Sequence, residues 1–402
     1  MAMTLPDAAW RARAGLADLA RVLGRDDARF VGGAVRDTLL GLDVADVDIA
    51  TRHAPDRVVA LLKAAGMKVV PTGIAHGTVT AVTPGGPVEI TTLRHDVSTD
   101  GRHAVVAFTD DWRADAGRRD FTMNALYADL HDGAVFDYFD GLDDLAAGRV
   151  RFIGDPLQRI AEDHLRILRF FRFHARFGDR IDGVGLDACA ARANDLMALS
   201  RERIAAELLK LLVARHAVAV VALMVEHGIW RAVLPEIDAQ GAARLAVLAA
   251  AEDAFGVAPD AIRRLAVLIP PSAAESVGAR LKLSKLDRRR LECATLGAGD
   301  EGSLALAYRT GADIAIDRLL IAGESPAAVR DWATPRLPIG GGALVAMGLE
   351  KGPDVARALK RIEDRWLAEG FPDAARVERI AADVVAQALS ARSSAGGGAI
   401  IE

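Results

Sequence analysis

The chain has 402 residues, 51% of them hydrophobic and 26% charged, with a formal net charge of −5. That length exceeds what a single core usually organises, so more than one globular domain is expected, and no apolar run approaches the roughly 20 residues of a membrane span. The negative balance argues mildly against nucleic acid as a partner of the whole surface, so any RNA contact must use a local basic patch.

The two cysteines, Cys189 and Cys293, are far apart and have no histidine at ligand spacing, which indicates neither a disulfide framework nor a zinc site. The start, Met1-Ala-Met-Thr-Leu-Pro-Asp7, lacks a basic stretch followed by an apolar core, so no signal peptide is expected and a cytoplasmic location follows.

In chain order, the apolar pattern predicts a helix around Ala8 to Leu23, then a β run at Ala28 to Val31. Gly32-Gly33 follows and precedes a helix predicted over Ala34 to Leu40, so backbone amides there could face a triphosphate at a helix start. A lone Gly-Gly before a helix is equally a plain turn. Next comes a β run at Val47 to Ala50, carrying Asp46 and Asp48. Residues i and i+2 of a strand share a face, so both carboxylates can converge on one point, a geometry that suits magnesium; a lone Asp-x-Asp can also sit on a solvated strand edge. Together, a strand, a glycine turn, a helix and an Asp-x-Asp pack a phosphate cradle beside a metal site.

Further β runs are predicted at Val69 to Pro71, Thr78 to Val82 and Val88 to Leu93, with a turn at Pro84-Gly-Gly-Pro87. The segment His95 to Gly117, with Asp100-Gly-Arg-His103 inside it, carries glycines and charges that fit a lid better than a core. Arg118-Arg119-Asp120-Phe121-Thr122-Met123-Asn124 offers forked donors for phosphate and an acceptor for a ribose hydroxyl, although a solvated turn has the same composition.

After Arg151 apolar residues recur at three- and four-residue spacing in Pro156 to Phe177, Asp187 to Leu199, Ile204 to Val213, Ala243 to Phe255 and Asp354 to Leu367, which predicts an all-helical remainder. Asp163 and Arg166, at i and i+3 of a helix, share a face. They could read the Watson–Crick edge of cytosine or adenine, an aspartate accepting the exocyclic amine and an arginine donating beside it. An ordinary i,i+3 salt bridge is the simpler account from spacing alone. Arg166, Arg169, Arg172 and Arg176 form a basic stripe for triphosphate or RNA, or a solvated face. Arg280, Lys282, Lys285 and Arg288-Arg289-Arg290 form a second basic candidate, and the tail from Arg392 reads as flexible.

Gly32-Gly33-x-Val35-Arg36-Asp37, Leu39-Leu40-Gly41 and Asp46-x-Asp48 resemble the signature of the class II tRNA nucleotidyltransferases and bacterial poly(A) polymerases, of the polymerase-β-type superfamily. The Arg118 block is similar to that family's Arg-Arg-Asp-Phe-Thr-x-Asn-Ala run. Glu162-Asp163-x-x-Arg166 is similar to its Glu-Asp-x-x-Arg motif, and Leu199 to Lys210 to its last motif. The resemblance implies an α+β fold: a nucleotidyltransferase head (1–150) with a mixed sheet and helices, then an elongated all-α region of neck (151–215), body (216–300), tRNA-binding tail (301–391) and flexible C-terminus (392–402).

It also implies the site. Asp46 and Asp48 hold two Mg²⁺ ions, with Glu89 as a further catalytic carboxylate. Gly32, Gly33, Arg36 and Asp37 belong to the triphosphate site; Arg118, Arg119, Asp120 and Asn124 to the sugar and pocket. Asp163 and Arg166 act as the protein template for the base, and Arg169, Arg172 and Arg203 support the nucleotide. The implied activity is addition of CCA to the tRNA 3′ end from CTP and ATP, with no protein partner evident. Alternatives are poly(A) addition, A-only or CC-only addition, and a catalytically inactive RNA-binding relative. Pro71 to Thr78 stands where poly(A) polymerases carry a basic Gly-Arg-Arg-Phe-like segment, which favours the CCA-adding members. After Gly340 the chain departs from its relatives, with Gly341-Gly342-Ala343 in place of a basic residue and an aspartate.

Overall fold

The structure, a computed structural model, describes residues 3–99 and 104–396, so Asp100 to His103, inside the expected lid, and 397–402 lie outside the described residues. The chain folds as two compact units: 1–242 with 280–282, and 243–279 with 283–402.

The first unit is built on a mixed sheet. Its strands are β1 (Ala28–Val31), β2 (Asp48–Thr51), β3 (Lys68–Gly73), β4 (Thr78–Thr83), β5 (Gly86–Thr92), β8 (Tyr127–Asp129) and β9 (Val135–Phe136). Among the described residues the sheet is seven-stranded, in the order β3-β4-β5-β2-β1-β8-β9. Only the β2–β5 pairing is parallel; the others are antiparallel. That parallel register places Asp48 opposite Glu89. β5 alternates, burying Val88, Ile90 and Thr92, while β1, β2 and β4 bury consecutive residues such as Phe30-Val31, Ile49-Ala50 and Val79-Thr80-Ala81, as strands covered on both faces do.

The helix expected over Ala8 to Leu23 is split. A 3₁₀ turn spans Ala9–Ala12 and α1 spans Leu16–Leu23, with Leu16, Leu19, Ala20 and Leu23 buried along one stripe. The break is at Gly15 (φ 86°), where a Cβ would lie 2.7 Å from Pro84 Cδ of the β4–β5 turn, so only glycine meets both demands. Helices α2 (Gly33–Leu39) and α3 (Pro55–Ala64) follow β1 and β2.

The segment expected as a lid is structured on both sides of the undescribed residues. β6 (Arg94–Thr99) and β7 (Ala104–Phe108) pair as an antiparallel ribbon, and α4 (Trp112–Gly117), capped by the Asp111 carboxylate on Arg113 N–H, follows. A loop reading followed the glycines and charges; the Ala104-Val-Val-Ala-Phe108 run supplies the β pattern it overlooked. Beyond α5 (Gly141–Ala146), Asp144 is fully buried and accepts from Arg149, Arg151 and the Thr122 hydroxyl.

All strands among the described residues precede residue 137; the rest is helical, as expected. The helix predicted over Pro156 to Phe177 is two helices, α6 (Pro156–Glu162) and α7 (Arg166–Phe177). Asp163 turns extended (φ −151°, ψ 107°), and its carboxylate accepts the Leu165 N–H at 3.1 Å, so a short polar side chain breaks one helix and opens the next. α7 buries Phe170, Phe171 and Phe173 with Phe121 and Phe152, and Phe152 stacks on Phe170 at 5.5 Å. Each buried ring contributes about 2–3 kcal/mol. The expected Asp187 to Leu199 helix also divides, into α8 (Gly183–Ala191) and a 3₁₀ segment, and α9 (Arg201–Leu212) packs on α7.

In the second unit, helices 261–268, 285–294 and 312–321 meet at a buried ionic cluster. Glu252 accepts from Arg263 and Arg264 at 2.8 Å each, and Asp317 accepts Arg290 Nε at 2.6 Å. A separate core joins Pro353–Ala368 to Ala374–Gly396 through Ile362, Trp366, Val377, Ile380 and Val384. The last helix runs to Gly396, and the rest of the tail expected from Arg392, 397–402, lies outside the described residues. Of the basic candidates near 280–290, Arg280 pairs with Glu236, Lys282 with Glu202 and Arg290 with Asp317 and Asp260; Lys285 and Arg289 are exposed. Among the described residues no helix is long and apolar enough to cross a membrane.

Candidate active site

A cleft of about 340 Å³ in the first unit is lined by Gly32, Gly33, Arg36, Asp48, Arg118, Arg119, Asp120, Asn124, Asp163, Arg166, Arg169 and Phe173. Residues from four distant stretches of the sequence thus share one space. The remaining expected residues, Asp37, Asp46, Glu89, Arg172 and Arg203, stand behind or beside it.

Asp46 precedes β2 rather than lying on it, but the alternation persists: Asp46 is exposed, Val47 is buried and Asp48 is half-buried. Asp48 carries a carboxyl pushed above its ordinary value, first by burial and then by Glu89, with Asp46 adding and Arg119 opposing. Acidic neighbours that raise the proton affinity of Asp48 form with it a donor set suited to a divalent cation. Among the described residues no three acidic, histidine or cysteine side chains already close on a metal-sized point.

Gly32 adopts φ 68°, ψ −122° at the start of α2, a conformation that L side chains rarely adopt. Its amide donates to Leu126 O at 3.1 Å, so that one is engaged with the chain rather than facing the cleft. A Cβ there would lie 3.5 Å from Arg119 Nη1, which puts the guanidinium over the glycine turn. Arg36 is buried, donating to Asp37 at 2.7 Å and to Asn124 Oδ1 at 2.5 Å, and lies 4.4 Å from the Phe177 ring centroid. Burial lowers its pKa against the pull of Asp37. Arg36 and Asp37 therefore brace α2 against α7, and Arg176 joins Asp37 at 3.2 Å.

Asp120 is buried with both oxygens occupied: Oδ1 accepts Phe121 N–H and Asn124 Nδ2, and Oδ2 accepts Arg169 Nε at 2.7 Å. Burial would raise its pKa, but Arg169 and these hydrogen bonds hold it below the ordinary value. Arg118 and Arg119 both pair with Asp115, buried under the site.

Asp163 and Arg166 do not share one continuous helix as expected; they flank the α6–α7 break, and both line the cleft. Asp163 Oδ2 accepts Arg203 Nη2 from α9 at 2.8 Å. Arg166 donates to Glu162 Oε2 at 2.7 Å and to the carbonyls of Arg159 and Arg118. The two side chains are thus fixed by different partners, while the Arg166 amide donates to the Asp163 carbonyl at 3.0 Å. The stripe continues the pattern: Arg172 donates to Glu207 at 2.5 Å, with Arg169 3.9 Å from the same carboxylate. Glu207, Asp115, Tyr127 and Phe173 were not singled out as site residues from sequence; the Asp-x-x-Arg-Arg spacing at Asp115 is the signal that could have found that one.

A sheet that sets carboxylates on adjacent strands beside a glycine turn, facing an arginine-lined helix, defines a nucleotidyltransferase-type protein. The family model described as the poly A polymerase head domain matches residues 28–151, and one described as a probable RNA and SrmB-binding site of polymerase A matches 180–240. The CCA tRNA nucleotidyltransferase 1, mitochondrial, of Mus musculus is 34% identical over 385 residues, covering 89% of this chain and 87% of that protein. The CCA-adding enzyme of Levilactobacillus brevis is 42% identical over 207 residues, about half of each chain. The crystal structure of the Bacillus stearothermophilus CCA-adding enzyme in complex with CTP superposes with a TM-score of 0.76 at 26% identity, covering 96% of this chain and all of that one. The chain belongs to the family of tRNA nucleotidyltransferases and poly(A) polymerases.

Proposed function

We propose that the protein adds C, C and A to the 3′ end of tRNA, using CTP and ATP without a nucleic-acid template. The observation that carries the reading is the cleft in which Asp48 and the Gly32–Gly33 turn share space with Asp163 and Arg166. In this reading the tRNA 3′ oxygen attacks the α-phosphorus of the bound nucleotide. A new P–O bond forms, the bond from that phosphorus to the oxygen bridging to the β-phosphate breaks, pyrophosphate leaves, and the hydroxyl proton passes to solvent.

Asp46 and Asp48, with Glu89 beside them, are the residues that would hold Mg²⁺, two ions in the proposal. Bound there, the metal supplies positive charge to the attacking and leaving oxygens. Arg119 and the glycine turn meet the triphosphate, with Arg36 and Asp37 bracing that turn from behind. Asp120, steered by Arg169 and Asn124, meets the sugar. Asp163 accepts the exocyclic amine of cytosine or adenine and Arg166 donates to the adjacent ring position. Guanine and uracil present the opposite polarity and would leave buried groups unpaired. Arg172 and Arg203 act through Glu207 and Asp163.

Head (1–150) and neck (151–215) carry the chemistry in this proposal, while body (216–300) and tail (301–391) take the tRNA. Cytoplasmic location belongs to the same proposal and is tested by cell fractionation, the vertebrate relatives being named mitochondrial.

The test supplies Mg²⁺ and four tRNAs ending at successive positions of the CCA terminus, each with one nucleotide at a time. Two CTP additions, then one ATP addition, then arrest are expected. Unlimited ATP incorporation would assign poly(A) activity, addition of C alone or A alone a partial enzyme, and no incorporation the inactive relative.

A further inference from the structure

Beneath the cleft lies a polar cluster to which no role has been assigned. Asp115, on α4, is 1% exposed at its side chain and holds two adjacent arginines: Arg118 at 2.9 Å and Arg119 Nη2 at 3.2 Å. The Tyr127 hydroxyl, on β8, donates to Asp115 Oδ2 at 2.6 Å and accepts from Arg119 Nε at 3.3 Å. The Arg94 amide, at the start of β6, donates to the other carboxylate oxygen at 3.2 Å. Tyr127 is itself immobilised, fully buried and edge-on to Trp112 at 5.5 Å.

Two of the three guanidinium nitrogens of Arg119 are thus engaged from below. The third, Nη1, is the atom that lies over the Gly32 turn. We infer that Asp115 and Tyr127 are positioning residues that fix Arg119 so that Nη1 is presented to the nucleotide's β- and γ-phosphates above Gly32. A planar fork held at two nitrogens has one direction left, and a carboxylate alone would leave it free to swing about that contact. The hydroxyl supplies the second point. The inference rests on the nucleotidyl-transfer reading above and extends it to two residues that do not line the cleft.

Tyr127→Phe removes the second point and leaves the ring in the core; Asp115→Asn removes the charge and keeps the shape. Each is assayed with CTP and ATP on tRNAs ready for C and for A, and for inhibition by pyrophosphate, with melting temperature as a check on folding. Tyr127→Phe is expected to raise KM for CTP and ATP by the same factor, about tenfold as for loss of a hydrogen bond to a charged group. The pyrophosphate inhibition constant should rise in parallel, while CMP affinity, KM for tRNA and the C-before-A order stay as in the wild type. Asp115→Asn should move the same constants further. Variants that bind CTP and pyrophosphate as the wild type does, or that lose CMP and tRNA affinity equally, would overturn the clamp. A wild type that transfers no nucleotide would instead count against the reading on which it rests.

Discussion

Among single residues, the site stores charge where stability alone would not put it. The Asp48 carboxyl is pushed up by burial and by Glu89, so its ionised form is disfavoured in the folded chain. For an acid whose folded pKa is raised, ionisation above that pKa costs stability. Asp48→Asn should therefore melt no lower than the wild type at neutral pH, and higher if the relief is large, while turnover falls about 10²–10³-fold, the scale of losing one charge stabiliser. Calorimetry beside a nucleotide-incorporation assay checks both; a variant that is less stable and still active would contradict it. At the base-reading end, Arg166→Ala should lower the CTP-over-UTP ratio of kcat/KM by about 10- to 100-fold, the 1–3 kcal/mol of a bidentate base contact. A general loss with every nucleotide would instead mark Arg166 as a brace for Glu162. Gly32→Ala places a side chain at positive φ and should cost about 1–2 kcal/mol in urea denaturation.

Between elements, one carboxylate links helices α7 and α9 across their packed faces. Glu207 accepts from Arg172 and lies near Arg169, which in turn steers Asp120. Glu207→Ala leaves Arg172 largely buried and unpaired, so a loss of roughly 3 kcal/mol is expected in chemical denaturation. A shift under about 0.5 kcal/mol would show the pairing to be incidental. Much of this architecture is legible in the sequence: β1 is where its apolar run predicts, and the glycine turn and the Asp48 strand fall on the expected elements. What escaped has physical causes. Asp163 breaks its helix through a side-chain bond to the local backbone, which apolar periodicity cannot register. Gly15 breaks another because the β4–β5 turn comes within contact distance, a tertiary demand. Asp46 sits just before the strand, and the burial alternation of exposed Asp46, buried Val47 and half-buried Asp48 runs through the boundary. The pairings of Arg169 with Asp120 and of Arg172 with Glu207 depend on which elements meet and are absent from the local pattern, whereas Glu162–Arg166 and Asp115 with Arg118 and Arg119 are local pairs three or four residues apart.

Across the whole molecule, buried ion clusters set the response to acid. The Asp115 carboxyl, which burial alone would raise, is held at about 2 by Arg119, Arg118 and the Tyr127 hydroxyl, below the ordinary value of 3.8. A folded pKa below the unfolded one gives stability that is full above about pH 4 and is lost as pH falls towards 2. The difference amounts to about 2 kcal/mol. Melting temperature should therefore drop through that window in the wild type, and Asp115→Asn should flatten part of the drop; parallel curves would contradict it.

One nucleotide is proposed to span the cleft, triphosphate at the glycine turn and base at the α6–α7 break. A crystal structure with CTP and Mg²⁺ reads this directly. Phosphate oxygens should lie within hydrogen-bond distance of Arg119 Nη1 above Gly32, metal at Asp46 and Asp48, and the cytosine edge on Asp163 and Arg166. Density for CTP elsewhere, or a base turned away from Asp163 with those two side chains still bound to Arg203 and Glu162 alone, would contradict it.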